Sequence, residues 1–296
     1  MNVAGVELSH ADRVLYPEQG LTKLDLARYY EAIAPWMLPH VAGRPFSLVR
    51  CPEGRQKACF YQKHWSGTLP RGVETVDIRE GKGTVRAYTV IHDVTGLVGL
   101  VQHGVLEFHL WGARADRVET PDRVIFDVDP APEVGWPRVR GAARLLREVL
   151  DSLGLQSWVK TSGGKGLHVV LPIERRSSWD DVAAFARALA YRVAREAPDQ
   201  YLATASKAAR KGKIFIDWLR NTRGATAIAP WSTRAREGAP LSVPLDWNEL
   251  DRLKSGAQYD VKQGLALARR RTPDPWDSLL ESKQRLTRSL TAALEA

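Results

Sequence analysis

Cysteine is scarce in this chain: Cys51 and Cys59 are the only two in 296 residues, and they do not form a C-x-x-C. A disulfide framework and a cysteine-ligated zinc centre are thereby excluded. Long apolar runs are also missing. The most apolar stretch, Val94 to Trp111, is broken by Gln102, His103, Glu107 and His109, and does not read as a membrane span. Met1 to His10 lacks the basic segment followed by an apolar one that marks a secretory signal. There is no internal repeat, no low-complexity tract, no Walker A loop, no Lys-x-Asp-Gly adenylylation motif and no His-Glu-x-x-His zinc motif. These absences lead us to expect a cytoplasmic protein with no membrane partner.

What is present is ordinary in bulk and unusual in charge. Hydrophobic residues make up 44% and charged residues 26% of the chain, the composition of a globular protein of one large domain or two modest ones. A chain of this length buries most of its apolar surface without a disulfide or structural metal. Lys and Arg number 43 against 34 Asp and Glu, a net charge of +9. That balance favours a polyanionic partner such as nucleic acid or a phosphate-rich ligand. Arg supplies 31 of the 43 basic residues; a GC-rich genome explains this as well as selection for bidentate phosphate contacts does.

Periodicity gives a mixed α/β pattern. Thr22-Lys23-Leu24-Asp25 has the form of a capping box, followed by a helix with apolar Leu26, Tyr29, Tyr30, Ile33 and Met37. Strands are expected at Phe46 to Arg50, 73–79, 86–91 and Val105 to Trp111, with a short helix from Asp93 to Gln102. After Pro121, strands at Arg123 to Asp129, Ser157 to Lys160, Leu167 to Leu171, Lys213 to Asp217 and Ala225 to Ala229 alternate with helices at Val139 to Leu153 and Trp179 to Glu196. Two more helices are expected near Trp247–Lys254 and Glu281–Leu294. The shift in pattern divides the chain into modules 1–117 and 118–296.

Five groups of residues carry chemistry. In the strand Phe126-Asp127-Val128-Asp129-Pro130, Asp127 and Asp129 project to one side. Such a pair is either a solvated strand end or a site for a hard cation such as Mg²⁺ or Mn²⁺. Asp217 ends the strand Lys213-Ile214-Phe215-Ile216-Asp217. If that strand neighbours the first, three carboxylates suit two cations and in-line phosphoryl transfer; otherwise Asp217 caps the following turn. The glycine-rich Lys160-Thr161-Ser162-Gly163-Gly164-Lys165-Gly166-Leu167-His168 is either a decorated turn or an anion cradle with Ser162, Lys165 and His168 as donors. A basic run holds Lys207, Arg210, Lys211, Lys213, Arg220 and Arg223; Arg234 and Arg236 follow, alternating so that both guanidiniums can clamp a triphosphate. Phe60 and Tyr61, beside Lys63 and His64, suit either base stacking or core packing. Glu107 and His109 share a strand face, and Arg269-Arg270-Arg271 reads as a solvated basic face.

In this order the motifs resemble the polymerase domain of bacterial ligase D, a non-homologous end-joining enzyme of the archaeo-eukaryotic primase superfamily. The likeness runs from about residue 5 to 290. Thr22-Lys23, Phe60 to His64, Glu107-Phe108-His109-Leu110-Trp111, the Asp127–Asp129 strand, Lys160 to His168, Ile216 to Asn221 and Ala229 to Arg236 carry it. The resemblance implies an archaeo-eukaryotic primase-like α/β catalytic core, an RRM-like module with C-terminal helices packed on an N-terminal α/β module. It implies templated nucleotide addition at broken DNA ends with two Mn²⁺ (or Mg²⁺) ions, NTP as substrate and ribonucleotides preferred. It also implies DNA with 5′-phosphorylated ends or gaps, Ku and a ligase as partners, at the nucleoid. By position, Asp127, Asp129 and Asp217 are the implied catalytic metal ligands. Ser162, Lys165, His168, Arg234, Arg236 and Arg50 are implied to hold the nucleotide. Lys23 is implied to meet a downstream 5′-phosphate, and Phe60, Tyr61 and Lys63 the DNA; the family often has two Phe where this chain has Phe60 and Tyr61. His109 is placed near the active site with no step assigned. The ligase and phosphoesterase modules usual in the family are missing from this sequence. A stand-alone primase and a non-catalytic end-bridging module are the competing readings.

Overall fold

The computed structural model describes residues 1–295 except Lys82, Lys207 and Thr272, so Lys207 of the basic run lies outside the described residues. By contact the chain forms two compact units, and it visits them more than once. The first comprises Met1–Asp116, Ile228–Val243 and Tyr259–Asp274; the second comprises Arg117–Ala227, Pro244–Gln258 and the residues from Pro275 on.

The first unit is built around the helix Lys23–Val41. Its start is fixed by a reciprocal cap: Thr22 N–H donates to Asp25 Oδ2 at 2.9 Å, and Asp25 N–H donates to Thr22 Oγ1 at 3.2 Å. Leu26, Tyr29, Tyr30, Ile33 and Met37 are all buried along one stripe. Beside the helix, strand Phe46–Arg50 pairs antiparallel with Val105–Trp111 on one side and Phe60–Gln62 on the other. Val73–Arg79 and Val85–Ile91 form a separate antiparallel hairpin.

The two helix tyrosines hold the return segment. Tyr29 Oη donates to the Trp231 carbonyl at 2.8 Å, and Tyr30 Oη bonds Thr233 Oγ1 at 3.0 Å. They secure a backbone with Trp231 at φ +64°, a region that non-glycine residues rarely adopt. Cys51 and Cys59 are disulfide-bonded, with Cα atoms 4.3 Å apart. The scarcity of cysteine excludes a framework, but a single bridge closes the turn between two strands. Arg50 faces Phe60 across the hairpin, and the next residue on each side is a cysteine.

The second unit is a six-stranded sheet in the order Tyr201–Leu202, Ile214–Asp217, Arg123–Pro130, Leu167–Pro172, Trp158–Thr161, Pro244–Leu245. Every pairing is antiparallel except that of Tyr201–Leu202 with Ile214–Asp217. Helices Trp136–Ser152 and Trp179–Glu196 pack on it. In the Arg123–Pro130 strand, Val124, Phe126 and Val128 are fully buried on one side. Alternation puts Ile125, Asp127 and Asp129 on the other. Ile125 joins a buried cluster with Trp158, Val170, Ala227, Trp276 and Leu279.

The C-terminal third departs from the expected helices. Trp247–Arg252 is a 3₁₀-helix and Val261–Arg270 is an additional α-helix; of the expected Glu281–Leu294 helix only the part within Arg288–Glu295 forms, and a short helix Asp277–Glu281 precedes it. The stretch between those two is captured by the sheet. Glu174 N–H donates to the Gln284 carbonyl at 2.7 Å. The Gln284 amide donates to the carbonyls of Gln156 and Pro172 at 3.0 and 3.1 Å.

Candidate active site

Cross-strand register in the second unit assembles a polar row. Asp217 lies opposite Asp127, Asp127 opposite His168, and His168 opposite Lys160. Directly opposed residues share a sheet face, so the three aspartates and His168 meet on the side away from Phe126 and Val128. His168 Nε2 is 3.5 Å from Asp127 Oδ1. Asp217 also accepts the Leu219 N–H at 3.0 Å; it caps the next turn and faces Asp127 at once.

Two arginines of the basic run close on this row. Arg220 Nε is 3.1 Å from Asp217 Oδ2 and 3.4 Å from Asp127 Oδ2. Arg210 Nη1 donates to Asp129 Oδ2 at 2.8 Å, with its guanidinium 4.2 Å from the Phe215 ring centroid. Burial raises the Asp127 carboxyl, Arg220 pulls it down, and Asp217 and Asp129 push it up again, leaving it at about 6. Asp217 is also raised, chiefly by burial. The turn carrying Arg220 is fixed by buried Asn221. Its side chain accepts the Ile125 N–H at 2.7 Å and donates to the carbonyls of Ile125 and Trp218 at 2.8 Å each.

The glycine-rich turn folds on Ser162. The Ser162 hydroxyl donates to the Gly166 carbonyl at 2.9 Å and accepts the N–H groups of Gly164 and Gly166 at 3.2 Å each. A Cβ at Gly166 would run into the Val128 carbonyl oxygen, so only glycine fits beside the aspartate strand. Lys165 is exposed at the tip and His168 is buried behind it.

The first unit gathers a second charged group. Buried Glu107 receives the His109 ring at 2.8 Å, Arg234 Nε at 3.0 Å and the Ala235 N–H at 2.8 Å. Burial alone would raise this carboxyl, but His109, Arg234 and the backbone donor outweigh it and hold it at about 2. Tyr61 meets the His109 ring edge-on, centroids 5.9 Å apart. Arg236 is exposed two residues beyond Arg234.

Phe60 and Tyr61 are exposed but, as neighbours in a strand, face opposite sides. Phe60 is on the side of Arg50, whose guanidinium lies 5.3 Å from the Phe60 centroid and 4.6 Å from that of Trp65. Lys63 is exposed nearby in sequence. Lys23 is buried; its ammonium donates to the Ser9 carbonyl at 2.7 Å, and burial and then Arg13 lower its pKa. Sequence reading names Arg210 and Arg220 only as members of the basic run and Asn221 only within the Ile216 to Asn221 motif, without a partner for any of them; Arg13 it does not name at all.

Residues 22–276 match the family model for the LigD primase-polymerase domain. The chain belongs to that family. It is 39% identical over 292 residues to the multifunctional non-homologous end joining protein LigD of Pseudomonas aeruginosa, covering 98% of this chain and 35% of that protein. It is 34% identical over 254 residues to LigD of Mycobacterium tuberculosis, covering 83% of this chain and 33% of that protein. The chain thus spans about a third of the length of these LigD relatives. The solved polymerase domain of M. tuberculosis ligase D in complex with DNA superposes with a TM-score of 0.86 at 31% identity, covering 94% of this chain and 98% of that one. The LigD polymerase domain is a metal-dependent, DNA-directed nucleotidyltransferase, and the expected primase-like α/β architecture matches that structure.

The aspartate row fits a hard divalent cation in its chemistry. Its donors are carboxylate oxygens, and Asp127, raised first by burial and further by Asp217 and Asp129, is a carboxyl whose charged form a cation would favour. Among the described residues no three His, Cys, Asp or Glu side chains converge on one point as metal ligands do; the Arg220 guanidinium lies between Asp127 and Asp217.

Proposed function

We propose that this chain is a template-dependent polymerase that fills gaps and extends ends during bacterial double-strand break repair by non-homologous end joining, with ribonucleotides preferred. The observation that carries the reading is the Asp217–Asp127–His168 row, with Asp129 two residues along the same strand. Asp127, Asp129 and Asp217 would hold two Mn²⁺ or Mg²⁺ ions, which when bound activate the attacking hydroxyl and offset triphosphate charge. The primer 3′-hydroxyl attacks the α-phosphate of the NTP and pyrophosphate leaves.

The chain's own residues position the reactants. His168 and Lys165 contact the triphosphate, and the Ser162 turn, closed by its own hydrogen bonds to Gly164 and Gly166, fixes the loop that carries Lys165. Arg234, which Glu107 fixes, and Arg236 are proposed nucleotide ligands. Arg13 and Lys23 pair on a downstream 5′-phosphate. That anion would offset the burial, and after it the Arg13 charge, that lower the Lys23 ammonium. Phe60, Tyr61 and Lys63 contact the DNA. Ku and a ligase are the proposed partners, and the nucleoid the proposed location. No helix among the described residues is long and apolar enough to cross a membrane.

Primer extension on a 5′-phosphorylated gapped duplex, with Mn²⁺ and either rNTPs or dNTPs, tests the reading. Templated addition by wild type, stronger with rNTPs and absent in Asp127→Ala, is expected. Extension retained by Asp127→Ala would overturn the site assignment.

A further inference from the structure

Arg50 stands at the end of strand Phe46–Arg50, directly opposite Phe60. Its side chain is engaged on four sides. The guanidinium lies over the Phe60 and Trp65 rings, 5.3 and 4.6 Å from their centroids. Nη1 donates to Gln62 Oε1 at 2.9 Å and Nε donates to the His103 carbonyl at 3.1 Å. The Trp65 ring in turn meets the His103 ring edge-on at 5.5 Å. Phe60 and Gln62 lie two apart on one strand and share the face that Arg50 occupies. Tyr61 projects from the other face, towards His109. A three-residue strand paired on one side only is weakly held by its ladder. Phe60 nonetheless stays 46% exposed on it, next to the Cys51–Cys59 bridge that closes the same turn.

We infer that Arg50 is a positioning residue: it holds the Phe60 ring as a fixed stacking face for an unpaired nucleobase, and it acts on DNA through Phe60 without touching the nucleotide. The cation–π contact orients the ring, the Gln62 bond sets the strand, and the His103 carbonyl ties both to the body of the unit. The ligand is the π-face of any base, so this contact is blind to sequence. The inference rests on the reading that Phe60 contacts DNA, and the test separates the two.

A gapped duplex carrying 2-aminopurine at the unpaired template position reports stacking by fluorescence quenching, and steady-state extension gives the half-saturating DNA concentration and the nucleotide KM. Phe60→Ala is expected to abolish the quenching. Arg50→Ala is expected to weaken DNA half-saturation about tenfold and leave the nucleotide KM within about twofold of wild type. The double variant should be within about twofold of Phe60→Ala alone, since both remove one interaction. Arg50→Lys keeps the charge but not the planar fork, and should recover less than half of the quenching while retaining the wild-type melting temperature. A raised nucleotide KM with unchanged DNA half-saturation in both Arg50 variants would overturn the inference and make Arg50 a nucleotide ligand. Full additivity in the double variant would also overturn it. Quenching intact in Phe60→Ala would instead overturn the DNA contact of Phe60, and the role of Arg50 with it.

Discussion

Asp127 and Glu107 are both carboxylates withdrawn from water, yet they are driven in opposite directions, to about 6 and about 2. Glu107 is saturated: an imidazole, a guanidinium and a backbone N–H all point at it. Asp127 is raised chiefly by burial; it shares the Arg220 guanidinium with Asp217, lies 3.5 Å from His168, and is pushed up further by Asp217 and Asp129 while Lys160 draws it down. The first arrangement organises a loop and needs nothing more. The second leaves Asp127 with too few donors to offset its burial. The fold therefore bears a cost at the aspartate row that it avoids at Glu107.

Removing each charge should break the comparison most sharply. Asp127→Asn is expected to lower extension by about 10³-fold or more, while its melting temperature equals or exceeds that of wild type because the burial of a charge, and then its repulsion by Asp217 and Asp129, are relieved. Glu107→Gln should do the reverse to stability, costing about 3 kcal/mol in denaturant titration by leaving Arg234 and His109 without their counter-charge. The sign of its pH dependence follows. A carboxyl held at about 2 when folded, against about 4.3 when unfolded, stabilises the fold fully above about pH 5 and loses that contribution as pH falls toward 2. The stability gap between wild type and Glu107→Gln should therefore close on acidification from pH 5 to pH 2.5.

Smaller effects sharpen the contrast. The first unit carries the disulfide, so reduction by a dithiol should lower its stability by about 2–3 kcal/mol, the value for a loop this short. Cys59→Ser should be insensitive to the reductant, and thiol titration of wild type checks that the bridge has opened. In a reducing compartment the reduced form is the relevant one. Arg270, exposed near the end of helix Val261–Arg270, belongs to neither charged group. Arg270→Ala should change stability by less than about 0.5 kcal/mol and leave extension unaltered.

Local signals made much of this legible before any coordinates. The capping box at Thr22 and Asp25 marks the helix start, and alternation around Phe126 and Val128 puts Asp127 and Asp129 on one face. Whether Asp217 faces Asp127 depends on strand pairing, which periodicity does not encode; only the motif order pointed to it. The bridge between Cys51 and Cys59 is set by the Arg50–Phe60 register, and the engagement of Arg50 by Trp65 and His103 is set by tertiary packing. Helix Val261–Arg270 escaped because only three of its residues are buried, Val261, Gly264 and Ala268, too thin a stripe to read. The expected C-terminal helix is shorter than its pattern suggested because the chain around Gln284 is bonded to the sheet, a tertiary contact that periodicity does not encode.

Asp127, withdrawn from water, is under-compensated where buried Glu107 is fully paired. Calorimetric titration of Mn²⁺ into wild type, Asp127→Asn and Glu107→Gln tests it most directly. Binding is expected for wild type and Glu107→Gln, and its loss in a fully folded Asp127→Asn. Undiminished Mn²⁺ binding by Asp127→Asn, or its loss in Glu107→Gln alone, would contradict it.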